Sequence, residues 1–312
     1  MKKNAKSKLS KKKIYLKDEI QLLFMISPAL ILLAIFAYWP MYGLILSFKN
    51  YKVTDGIWGS EWVGLKNFEF FFMSNDLFRI LRNTLVLNFL FIFAGVVASV
   101  GFALLMFEVK KARHVKIYQT VSILPNFISW VAVSFMVYGL LEYNRGMFNH
   151  IIRNFGGEGI KFYEEAAWWP MILLIVHLWH SVGMGSIIYY AALLSADQEL
   201  YEAADIDGAT KLQKIWYVSI PQLIPIIAIR TIMSVGNIFR SDFGMFYNVP
   251  RNIGALYKTT DVIDTYVYRA LMEVGNIGMS SAVGMFQSVV CLVTLLIANK
   301  LVGKISPENT LF

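Results

Sequence analysis

The chain has 312 residues, of which 57% are hydrophobic and 16% charged, with a formal net charge of +8. A mean hydropathy of +0.53 excludes an ordinary water-soluble domain, which carries more charge, and makes a membrane protein the default class. The single cysteine, Cys291, lies in an apolar run and excludes an internal disulfide or a cysteine-type metal site.

The chain opens on a basic cluster of Lys2, Lys3, Lys6, Lys8, Lys11, Lys12, Lys13 and Lys17. Such a cluster points to nucleic acid only when a folded basic surface follows it. Here apolar residues follow. Residues 1–20 therefore read as a cytoplasmic tail on anionic lipid, and no nucleic-acid partner is expected. Roughly 20 apolar residues cross a bilayer, and six stretches qualify: Leu22 to Phe48, Leu85 to Phe107, Ile117 to Leu141, Trp168 to Leu194, Leu223 to Phe239, and Ser281 to Val302. The first is too long for a signal-peptide core and lacks a clear cleavage site, so it reads as a retained helix. The predicted fold is all-α and polytopic, with about six transmembrane helices within residues 21–305 and a cytoplasmic tail at 306–312. Pro28, Pro40 and Pro125 sit within or near spans, where neighbouring helices or water satisfy freed carbonyls. Trp39, Trp130, Trp168 and Trp169 suit interfacial belts.

A cytoplasmic amino end places the basic loop Glu108 to Lys116 in the cytoplasm, together with the loop at 195–222. Lys49 to Thr84, Glu142 to Ala167 and Arg240 to Ser280 then lie outside. The 195–222 loop has a strict internal order, EAADIDGATKLQKIWYVSIP from Glu202 to Pro221. Tyr201, Ala204 and Gly208 share one helical face, which is nearly flat and would admit another backbone. Glu199, Glu202 and Asp205 form an acidic rim beside it. Gly208 permits a turn between two short helices, and Pro221 suits the first turn of the next helix. The alternative reading is an amphipathic interfacial helix with an ordinary proline start to the next span.

This loop resembles the EAA loop of ABC importer permeases: Glu202-Ala203-Ala204, three residues, Gly208, nine residues, then Ile-x-Leu-Pro. Val218 replaces the Ile and Ile220 the Leu, while the Gly and Pro spacing is kept. The resemblance implies a type I importer permease architecture. It implies that the short helix carrying Glu202, Ala203, Ala204 and Asp205 docks in a groove of an ATPase, where Glu202 meets a basic residue and Gly208 sets the bend. It also implies a second, non-identical permease, two ATPases that bind ATP and Mg, and an external solute-binding protein. The chain itself lacks a G-x-x-x-x-G-K-[ST] loop and is expected to hold no cofactor, no metal and no catalytic residue. Trp62 to Phe71 with Asn83-Thr84-Leu85 resembles the external entry of sugar-type permeases. Phe239 to Tyr247 and Thr259 to Leu271 resemble a narrower group that takes up oligosaccharides, including uronate-containing ones.

Ionisable groups within spans are functional candidates. Arg230, in span five, would face a wet cavity and pair with a uronate carboxylate, or else hold a neighbouring helix or snorkel to the surface. Asn237 and Arg240 lie further along the same route. His177 and His180 are three apart in span four, with no acidic third ligand in the HExxH manner, so sugar contact, interhelical bonding or core packing are their readings. Asn126, Trp130, Tyr189, Tyr190 and Gln287 complete the pathway candidates. Two other functions compete: a membrane-embedded glycosyl or polyprenyl transferase, and a secondary transporter working alone. The former needs clustered carboxylates with a metal, and the latter leaves the EAA spacing without a purpose.

Overall fold

The computed structural model describes residues 20–305. Residues 1–19 of the expected basic tail and the expected tail at 306–312 lie outside the described residues. Helices dominate, with one two-residue antiparallel ladder: β1 (Lys49–Asn50) pairs with β2 (Glu61–Trp62), Lys49 opposite Trp62.

The spans form because long apolar runs satisfy every backbone group internally only as helices. Among the described residues, the helices long and apolar enough to cross a membrane are α1 (Ile20–Phe48), α2 (Leu77–Phe107), and three that follow later in the chain. The pair α3 (Ala112–Phe127) and α4 (Trp130–Leu141) qualifies together but bends by 97°. A short helix, α5 (Met147–Asn154), leads to α6 (Ala166–Leu194). After the small α7 (Gln198–Ile206) come α8 (Lys211–Gly236), α9 (Phe243–Asn248), α10 (Ile263–Met272) and α11 (Ile277–Ile305). Counting the bent pair as one gives up to 6 spans, in line with the expected number.

The limits of three spans differ from expectation. Span three is not one helix from Ile117 to Leu141. Pro125 removes a backbone donor, the chain tightens into a 3₁₀ turn at Leu124–Phe127, and Ile128 is extended. Ser129 then caps α4 by accepting from the Ala132 N–H (3.3 Å). Span two begins at Leu77, because its first polar turns bond other protein segments instead of lipid. Span five is helical from Lys211, passes through a π turn at Ile215–Ser219 and ends at Gly236. Pro221 stands in the first turn of the α-helical stretch Ile220–Gly236, as expected, although the helical run as a whole begins earlier, before the π turn.

The spans meet through small residues, as membrane helices do. The broadest helix contact joins α2 and α6, which run parallel. A Cβ on Gly185 would lie 2.7 Å from Ser99 Oγ, and one on Gly183 would lie 1.9 Å from the Ser122 carbonyl on α3. A buried cluster including Leu87, Phe91, Val133, Trp169, Met245 and Phe246 fills one end of the bundle. A second, of Ala103, Tyr189, Leu193 and Leu223, fills the other. By contrast α1 leaves every residue from 20 to 42 exposed except Ser27, and packs only its final turns against α11.

Asp261 organises the end of the bundle opposite α7. Its side chain is fully buried and bridges Arg79 of α2 (3.0 Å) and Arg269 of α10. Thr265 Oγ1 donates to the same carboxylate (3.0 Å), and Asn83 Nδ2 donates to the Asp261 carbonyl (3.1 Å). Breaking such a buried pair leaves guanidinium charge without its partner, so Asp261→Ala is expected to destabilise the fold by about 3–5 kcal/mol. Thermal unfolding in detergent checks this. A loss under about 1 kcal/mol, the range of surface ion pairs, would show that Asp261 is not the organising group.

Candidate functional site

Two sites stand on the same helices. The first is α7 and the turn after it. Asp197 caps α7 by accepting from the Glu199 N–H (3.0 Å). Gly208 turns the chain with φ +73°, a conformation natural to glycine. Thr210 and Gln213 then form a reciprocal capping box that starts α8. The unit is locked to the bundle on its inner side. Tyr201 packs at a tilt against Phe107 (5.4 Å between centroids) and its OH bonds Ser219 Oγ (3.0 Å). Lys211 reaches Glu108 at the end of α2 (3.2 Å), and Lys214 reaches Asp205 (2.7 Å).

These contacts correct the expected docking face. Tyr201 and Ala204 are half-buried against their own bundle, so of the expected Tyr201–Ala204–Gly208 face only Gly208 stands exposed. The face turned outward carries Glu202, Ala203 and Ile206, the last 86% exposed. Asp205, expected in the acidic rim, is ion-paired with Lys214 within the chain. Glu199 and Glu202 make no ion pair among the described residues.

The second site is a cavity of about 350 Å³ between α2, α6 and α8, closed at one end by residues 237–245. It brings together His177, Tyr189, Arg230, Asn237 and Arg240 of the predicted pathway residues. Arg230 donates to the Gly185 carbonyl (3.0 Å) and lies 5.5 Å from the Tyr189 ring centre. Arg240 donates to Ser288 Oγ (3.3 Å) and Asn237 to the Met233 carbonyl (2.9 Å). Neither arginine has a carboxylate partner among the described residues. Each therefore keeps guanidinium donors for a guest.

The other five predicted residues do not line this cavity. His177 and His180 go to different partners: His177 stacks on Phe91 (4.6 Å), whereas His180 stacks on Trp130 (4.0 Å). His180 Nε2 donates to the Ile128 carbonyl (3.2 Å), which the α3–α4 break leaves without a helical partner, and Asn126 Nδ2 donates to the His180 carbonyl (3.5 Å). Trp130 Nε1 donates to Asp242 Oδ2 (2.8 Å), so it touches the cavity wall from behind. Gln287 holds Phe239 and Asp264, and Tyr190 packs beside Tyr189 and Leu193. The sequence reading passed over Asn88, Ser99, Ser181, Ser234 and Asp242, which line the cavity. Asn88 Nδ2 donates to the carbonyls of Ile238 (2.8 Å) and Arg240 (3.1 Å), pinning the end of α8. An amide inside an apolar span was the available signal for it.

Comparison with known proteins follows this geometry. The family described as "Binding-protein-dependent transport system inner membrane component" matches residues 23–307. Protein LplB of Bacillus subtilis (strain 168) is 35% identical over 94% of this chain and 92% of its own length. The polygalacturonan/rhamnogalacturonan transport system permease protein YteP of the same organism is 35% identical over 97% of this chain and 94% of its own. Among solved structures, a chain of a bacterial ABC transporter involved in import of the acidic polysaccharide alginate superposes with a TM-score of 0.84. It is 32% identical, covering 93% of this chain and 98% of that one. The same transporter is also known in complex with an alginate pentasaccharide-bound periplasmic protein.

Trp130 is the link between the helix break and the cavity wall. Trp130→Phe keeps the stack on His180 and removes the N–H that Asp242 accepts. A hydrogen bond to a charged group contributes about 1.5–3 kcal/mol, and partial exposure places this one at the low end. The expected outcome is a loss near 1.5 kcal/mol with faster proteolysis near α9. Unchanged unfolding and proteolysis would show the bond to be incidental.

Proposed function

The chain belongs to the family of binding-protein-dependent transport system inner membrane components, and on that footing we propose that it moves oligosaccharides, acidic ones in particular, from an extracytoplasmic binding protein through the α2–α6–α8 cavity. Family membership sets aside the membrane transferase and the stand-alone carrier. The observation that carries the substrate reading is the pair Arg230, within α8, and Arg240, just past its outer end: two guanidiniums that line one cavity and form no ion pair among the described residues, although Asp242, bonded to Trp130, also lines the wall. Charge in that position is expensive unless a ligand uses it, and a guanidinium matches a carboxylate in geometry. The functions of two relatives, polygalacturonan or rhamnogalacturonan transport and alginate import, support the same class.

The partners follow from the same reading. ATP and Mg reside on two ATPase subunits, which meet Glu202, Ala203 and Ile206. Asp205 and Gly208 shape that unit from within. A second, non-identical permease completes the pathway, and the unpartnered length of α1 supports a neighbour in the membrane. The α7 end faces the cytoplasm of a bacterial cell. Lys110, Lys111, Arg113 and Lys116 support this orientation, because Glu108 beside them is bridged to Lys211 at the α7 end. Movement of α7 passes through Tyr201–Phe107, Tyr201–Ser219 and Lys211–Glu108 into α2 and α8, two walls of the cavity. ATP closure at one end thereby reshapes the guest site, to the extent that the two states differ in affinity for it.

Two variants test this. Glu202→Lys in the assembled, reconstituted complex is expected to abolish substrate-stimulated ATP hydrolysis while the subunits still co-purify, since breaking a docked charge pair costs about 2–5 kcal/mol. Unchanged stimulation would remove Glu202 from the coupling contact. Arg230→Gln is expected to raise the half-saturating concentration of a uronate oligosaccharide about tenfold, with less effect on a neutral one. Equal effects on both would assign Arg230 to helix packing.

A further inference from the structure

From Tyr143 to Gly157 the chain carries Arg145, His150 and Arg153, and its acids, Glu142 and Glu158, stand just outside that stretch at either end. This stretch includes α5, whose two sides differ. Asn149 is fully buried and fixes one side: its Nδ2 donates to the Ile160 (2.9 Å) and Glu142 (3.2 Å) carbonyls, and its Oδ1 accepts from the Ile160 N–H (2.7 Å). On the opposite side Met147, Phe148, Ile151 and Phe155 are 53%, 45%, 42% and 89% exposed. At 3.6 residues per turn these four fall within an arc of about 100°. The cations lie off that arc. Arg153 folds back onto the Tyr143 ring (4.7 Å) and donates to the Tyr143 carbonyl (2.9 Å).

The depth of α5 is also set. Ile160 is held by Asn149, and two residues later the Phe162 carbonyl accepts from Trp169 Nε1 (2.7 Å) in the first turns of α6, a membrane span. Trp168, 46% exposed, stands at the same level. Apolar residues of α4 before this point, Val131 and Phe135, are also turned outward. We infer that α5 is an interfacial helix: its Met147–Phe148–Ile151–Phe155 face inserts into the lipid at the rim of the bundle, and Arg145 and His150 meet lipid phosphates. A helix with a separate apolar face and cations but no carboxylate of its own is the composition that lies in a headgroup boundary, buried about 5–10 Å. Of the two cations, Arg145 has Glu142 beside it, whose carboxylate accepts from the Arg145 N–H, and His150 does not. Bound there, α5 fixes the height at which α4 leaves the membrane and hence the level of the break behind the cavity. The inference does not depend on which sugar is carried.

The test uses the full chain in nanodiscs of phosphatidylcholine and phosphatidylglycerol, alone and assembled with its transporter partners. Phe155→Cys, Ile151→Cys and, on the polar edge, His150→Cys each carry an environment-sensitive fluorophore. Wild type reports background labelling of the buried Cys291. Phe148→Cys replaces any variant that fails to assemble. Nitroxide-headgroup lipid is expected to quench labels at 155 and 151 at least about threefold more than aqueous iodide does, as for a face seated in the boundary. At 150, which the proposal puts among the headgroups, headgroup nitroxide and iodide should both quench, so that its lipid-to-iodide ratio falls below those at 151 and 155, and the pattern should hold when the binding protein is added. Dominant iodide quenching at 155 and 151 would overturn the inference. So would shielding that arises only on addition of the binding protein or a second permease, because the face would then be a protein contact.

Discussion

The structure depends on how closely α2 and α6 approach. A Cβ on Gly185 would lie 2.7 Å from Ser99 Oγ of α2, and on the neighbouring side of α6 a Cβ on Gly183 would run into the Ser122 carbonyl of α3. Helices in lipid gain little from apolar burial, so close backbone contact of this kind supplies much of their association. The same contact holds the Gly185 carbonyl where Arg230 can reach it. It also carries α6 straight to α7 and α2 straight to Glu108, so the cavity walls and the coupling unit are continuous with one rigid pair.

At the opposite end the chain sets buried charge among its apolar clusters. Asp261 draws Arg79 and Arg269 into a buried cluster, and Asn83 and Thr84 fasten the same segment to α2 through the Asp261 carbonyl and the Ile263 N–H. Charged groups in such a place specify which elements meet, since a mispaired arrangement would bury unpaired charge. Between the two ends lies the α3–α4 break. His180 supplies the donor that the extended Ile128 carbonyl needs, and Trp130 carries the connection on to Asp242. The break is thus hydrogen-bonded and stable, and its links run to the cavity wall.

Much of this was legible in the sequence, for identifiable reasons. Span number followed from hydrophobic length, and the Gly208 turn from the rarity of a residue that tolerates positive φ in a spaced motif. The outward face of α7 was not legible. Helical spacing groups Tyr201 with Ala204 but cannot say whether Phe107 or solvent receives them. The 97° break was hidden because Pro125 is tolerated in many continuous spans, and only the extended Ile128 converts it to a corner. Of the pathway residues, Arg230 was found by charge in an apolar run and Arg240 by its place further along the same route. Asp242 was missed because a carboxylate past a span reads as an ordinary loop residue, and Asn88 because a lone amide in a membrane helix commonly bonds its own or a neighbouring backbone.

The central claim is that this chain forms one half of an ATP-driven route for an acidic oligosaccharide. Proteoliposomes holding the assembled complex, with ATP inside and with the binding protein and a labelled oligogalacturonate outside, measure it most directly. The account predicts uptake that needs both internal ATP and the binding protein and that is outcompeted by alginate oligomers more than by neutral oligosaccharides of equal length. Uptake that proceeds without ATP, or that is inhibited equally by neutral sugars, would contradict it.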